Sequence, residues 1–369
     1  MTLVLRSVRR ALGAAEKAAR SRMGRKARRQ VALKDVEIAA LRRELALARG
    51  EAPESAAVSR SVPAFFVVGY QKSGTTWLMR MLDAHPEVLC KGEGRFFDAG
   101  WRQKSLRRKG VERPPSSLYH ALLDAEYLRF WIQRSVWSHD EPAREHLDNL
   151  MRMAVDYFLQ GELLKTGKRF AGDKSPLLTP ETMKEISVIY PEARVIHIIR
   201  DGRDAAVSAA HHSWNFGNAA GRDTDRADPR KLREAGVSIF TEGQLEKLAS
   251  DWNARVGRAA QDGPALLGEN YTEVRYEDLI ERPEEELARL LRLLGVDIGE
   301  ENVKRCIETA SFEKLAKGRE RGEEDPSSFF RKGVAGDWKN VLTGEDRKIF
   351  KEEAGNLLVK LGYEREDDW

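Results

Sequence analysis

Cysteine is scarce in this sequence of 369 residues: only Cys90 and Cys306 are present, and they lie far apart. Two such positions cannot form a disulfide framework, and they do not have the spacing of thiolate ligands, so no metal centre is expected. Long apolar runs are also missing, and no stretch approaches the roughly 20 residues that a membrane-spanning helix needs. The scarcity of cysteine is typical of a reducing compartment, so the sequence predicts a cytoplasmic protein.

Positive charge is unevenly distributed along the chain. The net charge is +4, but residues 1–30 hold ten Lys and Arg against one Glu. These residues therefore carry +9, and the rest of the chain carries −5. A protein that binds nucleic acid through its folded body concentrates basic charge there. The sequence therefore predicts no nucleic-acid partner.

Residues 1–50 are predicted to form helices that precede the main domain. In residues 1–30 apolar side chains recur at helical spacing, which suits either a basic amphipathic helix on the inner face of a membrane or a solvated helix. Residues 31–48 have near-heptad spacing, so a short coiled coil, which would allow a homo-oligomer, and a helical spacer both stay open. Residues 51–63 contain several Pro and Ser and are predicted to be a linker into a single domain over residues 64–369.

The main domain alternates apolar strands with amphipathic helices. Strands are predicted at Phe65–Gly69, Arg194–Ile199 and Tyr271–Tyr276, each separated from the next by helical segments. Strands joined by helices imply right-handed crossovers and a parallel sheet that is covered on both faces. The predicted fold class is therefore α/β, with one P-loop-like domain built on a central parallel sheet.

The loop after the first strand has the frame of a phosphate-binding loop. Gly69 and Gly74 have the spacing of the two glycines in G-x-x-x-x-G-K-[ST], but Thr75 stands where that motif has lysine. The lysine of this loop is Lys72, two residues before the second glycine. Backbone N–H groups and the helix N-terminus would still converge on one anion, so a phosphate site is expected.

The stretch from Tyr70 to Trp77, YQKSGTTW, resembles the YPKSGTTW element of the sulfotransferases that use 3′-phosphoadenosine 5′-phosphosulfate (PAPS). The resemblance implies a metal-free transfer of a sulfuryl group from PAPS to an acceptor hydroxyl. It also implies that the 5′-phosphate is held by the following residues: Ser73, Gly74, Thr75 and Thr76. Lys72 would contact the donor near the bond that breaks, and Trp77 would pack on adenine.

Two further segments resemble the 3′-phosphate elements of the same family. Arg200 ends the second strand and Ser208 follows eight residues later, as in the family pattern. Near the C-terminus, RKGVAGDWK matches the family's R-K-G-x-x-G-D-W-K, which assigns Arg331, Lys332 and Gly333 to the same phosphate. Weaker matches imply adenine contacts for two aromatic residues: Tyr276 in Tyr-Glu-Asp and Phe312 in Ser-Phe.

The general base is not the histidine of the cytosolic members, because no histidine stands at the corresponding position here. The segment Lys91–Asp98 resembles the K-E-x-x-F-F element of carbohydrate and bacterial sulfotransferases, which makes Glu93 the predicted base. Asp173 and His211 are the alternatives, and Lys174 would orient donor or acceptor oxygens. The His211–His212 pair has no companion cluster, so it is not read as a metal site.

The K-G-E-x-x-F-F stretch at Lys91–Phe97 and the D-K-S-P stretch at Asp173–Pro176 resemble acceptor-side elements of carbohydrate sulfotransferases. They imply a carbohydrate or glycolipid hydroxyl as acceptor, with a phenol or a peptide tyrosine as other options. Two other functions are weighed against this one. A small-molecule kinase would need lysine at Thr75 and an acidic magnesium ligand at Arg200. A catalytically silent nucleotide-binding protein at the membrane would bind the donor product and transfer nothing.

Overall fold

A computed structural model describes residues 62–97, 118, 126–137, 143–175, 182–219, 228–325 and 327–365. All of them fall within one compact unit, Ser61–Trp369. The helices predicted for residues 1–50, and the predicted linker up to residue 61, lie outside the described residues. Those predictions, with the membrane contact and the homo-oligomer that depend on them, stay predictions.

The centre of the domain is a parallel sheet with the strand order β2-β3-β1-β4-β5. Its strands are β1 (Ala64–Val68), β2 (Val88–Gly92), β3 (Phe170–Ser175), β4 (Arg194–Ile199) and β5 (Tyr271–Arg275). The prediction of an α/β fold with a central parallel sheet is confirmed. The sequence patterns predicted β1, β4 and β5 but not β2 and β3.

Helices cover both faces of this sheet. In chain order the described α-helices are α1 (Thr75–Asp83), α2 (Glu126–Arg134), α3 (Ala143–Thr166), α4 (Thr182–Ile189), α5 (Gly202–Ala219), α6 (Pro229–Glu234), α7 (Gln244–Leu267), α8 (Tyr276–Glu281), α9 (Pro283–Leu294), α10 (Glu300–Thr309), α11 (Phe312–Leu315) and α12 (Gly344–Lys360). Short 3-10 helices lie at Gly268–Asn270 and Asp337–Asn340. None of the described helices is long and apolar enough to cross a membrane.

The central strand β1 divides the core into two layers, because successive side chains of a strand point to opposite faces. Phe65 and Val67 pack with α1, α9 and α10 on one face. Phe66 and Val68 pack with α3 and α4 on the other face. Each of these four side chains is at most 2% exposed, which is why the strand reads as a continuous apolar run.

The sheet order places the functional loops at one edge. β1 pairs with β3 on one side and with β4 on the other, so the loops that leave the carboxyl ends of these three strands are neighbours. Ligands of open α/β sheets bind outside the carboxyl ends of the strands, where the chain order reverses. The loop at 69–74, Lys174 near the end of β3, and Arg200 after β4 all lie at this edge.

Candidate active site

A cavity of about 380 Å³ opens at the carboxyl edge of the sheet. It is lined by nearly all the residues predicted from sequence: Lys72, Gly74, Thr75, Thr76, Trp77, Glu93, Arg200, Ser208, Tyr276, Phe312, Arg331, Lys332 and Gly333. Ser73 is fully buried in the loop and is not among the lining residues. The fold therefore gathers around one space segments that are as far apart in sequence as Lys72 and Gly333.

The loop after β1 turns sharply into α1. Lys72 and Gly74 both have positive φ, 66° and 91°, and Gly74 is the N-cap of α1 with no side-chain cap. A Cβ on Gly74 would lie 2.5 Å from the Tyr276 ring, so glycine is required both by the backbone and by the ring. The Ser73 N–H donates to the Tyr70 carbonyl at 3.2 Å, and the buried Ser73 Oγ has no hydrogen bond within the described residues. The uncapped N–H groups at the start of α1 form an anion-binding end.

The Lys72 ammonium lies in a cationic and partly apolar environment. Its Nζ is 4.5 Å from the centroid of the Phe329 ring. Burial, followed by the charges of Arg200 and Arg331, lowers the pKa of Lys72 from 10.5 to about 8. A bound anion would offset both causes, so Lys72 is poised to gain stabilisation from a negatively charged ligand.

Arg200 joins the loop after β1 to the loop near the C-terminus. Its guanidinium donates to the carbonyl of Lys72 at 3.1 Å and to that of Val334 at 3.0 Å, and it lies 4.3 Å from the Tyr276 ring centroid. The Asp204 carboxylate is 3.7 Å away and adds an ion pair to these contacts. The buried Nε of Arg200 still has no partner among the described residues, which leaves it a donor for a ligand.

Carboxylates hold the cations of the RKG segment in place. Asp337 is 2% exposed and accepts from Arg331 at 2.5 Å and from Lys332 at 2.7 Å. Glu324 pairs with the other side of the Arg331 guanidinium. Gly333 has φ 69°, and a Cβ there would lie 2.4 Å from the Phe312 ring. Arg331 and Lys332 therefore line the cavity as two oriented cations, and the Gly333 backbone lies directly against the Phe312 ring.

Aromatic rings line the space between these groups. The Trp77 indole donates to the Ala310 carbonyl at 2.9 Å and meets the Tyr276 ring edge to face, with 5.4 Å between centroids. Phe312 packs against Gly333, and the Arg321 guanidinium lies 5.0 Å from the Trp77 ring centroid. Because its side-chain hydrogen bond fixes the indole, Trp77 offers a preset surface for a flat ring.

Glu93 lines the cavity beside Lys174. Glu93 has φ 63°, its N–H donates to the Lys174 carbonyl at 2.8 Å, and its carboxylate lies 3.3 Å from the Lys174 ammonium. The Glu93 side chain is 50% exposed, whereas that of Lys174 is 3% exposed. Lys91, two residues before Glu93, pairs instead with Glu162.

The two other candidates for the base lie behind the cavity wall. Asp173 accepts from the Gly94 N–H at 2.9 Å, and burial raises its pKa to about 6. His211 is 3% exposed, and burial, followed by the charge of Arg331, lowers its pKa to about 4. Neither Asp173 nor His211 is among the described residues that line the cavity, whereas Glu93 is.

Several lining residues were not assigned to the site from the sequence: Gln71, His212, Leu315, Arg321, Phe329, Phe330 and Val334. Gln71, Phe329, Phe330 and Val334 lie within or beside the recognised motifs, so their proximity could have been inferred. Arg321 and Leu315 lie between motifs and carry no local signal. Lys174, which was expected to orient oxygens, does line the cavity.

The family model described as "Sulfotransferase family" matches residues 63–300, more than half of the chain. The chain belongs to the sulfotransferase family. The resemblance stated from sequence motifs is thereby confirmed at the level of the family.

Known sulfotransferases and related proteins match the chain at low identity. Protein-tyrosine sulfotransferase A of Caenorhabditis elegans is 24% identical over 244 residues, which cover 64% of this chain and 51% of that protein. Nodulation protein NoeE of Sinorhizobium fredii is 26% identical over 309 residues, covering 81% and 66%. The chain thus spans about half the length of the tyrosine sulfotransferase and just under two thirds of NoeE. The crystal structure of mouse sulfotransferase SULT7A1 complexed with PAP matches at 18% identity and a TM-score of 0.44, covering 80% of this chain and 84% of that one.

Proposed function

We propose that this sulfotransferase transfers a sulfuryl group from PAPS to an acceptor hydroxyl. The observation that carries the proposal is that one cavity holds two sets of anion-binding groups with aromatic rings beside them. The first set is the loop at 70–77 with Lys72, and the second comprises Arg200, Arg331 and Lys332. A nucleotide with phosphates at both its 5′ and its 3′ position suits two such sets, whereas a triphosphate chain suits one continuous cradle.

The residues of the cavity fit PAPS. The unpartnered Nε of Arg200 is a donor for a phosphate oxygen, and an arginine fork binds such oxygens well. Gly74 and Gly333 bring the backbone close to the rings of Tyr276 and Phe312, where any Cβ would collide. PAPS would supply the sulfuryl group, and the protein would supply binding, orientation and charge.

Lys72 is assigned to the oxygen that bridges the sulfuryl group and the 5′-phosphate. Its lowered pKa of about 8 leaves it mostly charged at pH 7, so it can donate to an oxygen on which negative charge accumulates. A hydrogen-bond donor that points at the oxygen on which negative charge develops accelerates transfer more than it tightens substrate binding. Lys72→Ala should therefore reduce turnover far more than donor affinity.

Glu93 is the proposed general base. A base must come within hydrogen-bonding reach of the acceptor hydroxyl, and the position of Glu93 on the cavity wall supports this role over Asp173 and His211. The buried Lys174 side chain lies 3.3 Å from the Glu93 carboxylate and restricts its orientation. The hydroxyl proton would pass to Glu93 as the hydroxyl oxygen attacks sulfur in line with the leaving phosphate.

The proposed acceptor is the hydroxyl of a carbohydrate or glycolipid. Support comes from the segment around Glu93 and from Lys174 beside it, which resemble the acceptor-side motifs of carbohydrate sulfotransferases. A peptide tyrosine is the second candidate, because relatives of this chain are named protein-tyrosine sulfotransferases. The protein is further proposed to work in the cytoplasm, with residues 1–30 contacting the inner face of the membrane through their charge of +9.

Incubation with PAPS that carries a labelled sulfuryl group tests this proposal. Purified protein is offered glycolipids, free saccharides, tyrosine peptides and phenols in separate reactions, and Lys72→Ala serves as the inactive control. Label is expected in the glycolipid or saccharide reactions. Label confined to peptides would favour the second candidate, and no label in any reaction despite donor binding would favour a catalytically silent protein. Transfer of phosphate from γ-labelled ATP would instead favour a kinase.

A further inference from the structure

Arg321 lies at the rim of the aromatic part of the cavity. Its guanidinium carbon is 5.0 Å from the ring centroid of Trp77 and 5.6 Å from that of Phe312. No motif pointed to this residue, because it lies between the Ser-Phe pair and the RKG segment. Because Arg321 lies close to both rings, a ligand that packs on those rings would also lie close to its guanidinium.

The guanidinium lies farther from both rings than it would in a close stacking contact. Elsewhere in the domain, Arg203 does stack on an indole, with its guanidinium carbon 3.6 Å from the Trp338 ring centroid. Arg321 is more than 1 Å farther from both of its rings and is exposed. Arg321 is therefore not packed tightly on either ring.

A hydrogen bond fixes Arg321 to the predicted 3′-phosphate segment. Its Nη1 donates to the Gly333 carbonyl at 2.6 Å, and the next residue, Gly322, donates its N–H to the Lys332 carbonyl at 2.9 Å. Gly333 in turn packs directly on Phe312. Arg321 thus connects the aromatic rings with the backbone of the cationic segment, so a ligand that touches both would also touch Arg321.

We propose that Arg321 is a donor-binding residue that closes over the adenine ring held by Trp77 and Phe312. This inference rests on the proposed function. A planar guanidinium is attracted to aromatic faces, and its remaining N–H groups can donate to the ring nitrogens of a purine. Its second task is to hold the Gly333 backbone in place, so that adenine and the 3′-phosphate are recognised together.

Calorimetric titration of Arg321→Ala with two nucleotides tests the proposal. The first is 3′-phosphoadenosine 5′-phosphate (PAP), and the second is cytidine 3′,5′-bisphosphate, which keeps both phosphates and changes only the base. Arg321→Ala should weaken PAP binding about tenfold, the order expected when a partly desolvated cation–π contact and one hydrogen bond are lost. The cytidine nucleotide should lose only about twofold, and Arg321→Lys should recover part of the PAP affinity.

Lys314→Ala is the matched control, because Lys314 is an exposed cation on α11 that does not line the cavity. It should bind both nucleotides like the wild type, and the melting temperature of every variant should match that of the wild type. Unchanged PAP affinity in Arg321→Ala, equal losses for the two nucleotides, or an equal loss in Lys314→Ala would overturn the assignment. Tighter PAP binding in Arg321→Ala would also overturn it, since Arg321 would then obstruct the rings. Failure of the wild type to bind PAP would instead refute the proposed function itself.

Discussion

Raising the pH should switch off donor use by deprotonating Lys72. Its pKa is lowered to about 8 by burial and by the neighbouring charges of Arg200 and Arg331. At that pKa about 90% of the free enzyme carries the Lys72 charge at pH 7, about 50% at pH 8 and about 10% at pH 9. If transfer requires the ammonium, kcat/KM for the donor should fall about tenfold per pH unit above pH 8, because kcat/KM reports the free enzyme.

The assay is the initial rate of labelled sulfuryl transfer at low donor concentration between pH 6.5 and pH 10. Lys72→Arg is the control, because a guanidinium keeps its charge over this whole range. The variant is expected to be slower than the wild type at pH 7, since a guanidinium does not have the shape of an ammonium. Its profile should nevertheless lack the fall above pH 8.

Two results would refute this reasoning. A wild-type profile that stays flat to pH 9.5 would mean either that transfer does not need the charge of Lys72 or that the pKa of Lys72 is not lowered. A fall with the same midpoint in Lys72→Arg would assign the titration to another group.

Three other variants test the proposed general base, the backbone at Gly333 and the buried carboxyl group of Asp173. Glu93→Gln should reduce turnover by about 10²–10⁴ with donor affinity unchanged, and an unaltered rate would move the base to Asp173 or His211. Gly333→Ala should weaken PAP binding at least about tenfold in calorimetry, because φ 69° and the 2.4 Å approach to Phe312 both disfavour a Cβ. Equal PAP affinity in this variant would contradict the binding role given to the Gly333 backbone. Asp173→Asn should stabilise the fold by up to about 3 kcal/mol at pH 7, since burial raises the native pKa of Asp173 from 3.8 to about 6. Between about pH 4 and pH 6 the native wild type binds more protons than its unfolded state, so its own stability rises as the pH falls. The stability advantage of Asp173→Asn, measured by urea unfolding, should therefore shrink as the pH falls through that window. An advantage that does not change with pH would contradict the raised pKa of Asp173.

Two of the three predicted strands, β1 and β4, are nearly continuous runs of buried apolar residues, whereas β5 is more polar and only partly buried. The sequence predicts β1 and β4 to within a residue or two. β3 is also buried, but its sequence FAGDKS places Asp173 and Lys174 inside the strand. Because these two ionisable residues interrupt the apolar pattern, hydrophobic patterning does not find this strand.

The candidate site was predictable where a local motif carries its chemistry. The loop around Lys72 and the segment around Arg331 each hold their binding groups within a few residues, and the structure brings them to one cavity. The partners that orient these groups are less predictable. Glu324 contacts Arg331, and Arg321 reaches Trp77, only because the chain folds back across the rings. No periodicity or spacing in the sequence reports such contacts.

A calorimetric comparison of PAP with 5′-AMP tests the central claim most directly. The two ligands share adenine, ribose and the 5′-phosphate, and differ only in the 3′-phosphate assigned to Arg200, Arg331 and Lys332. PAP should bind at least about 100-fold more tightly than 5′-AMP, as expected when two or more charge-assisted contacts at about 1.5–3 kcal/mol each are lost. Equal affinities, or no binding of PAP, would contradict the claim that this cavity holds the donor by both of its phosphates.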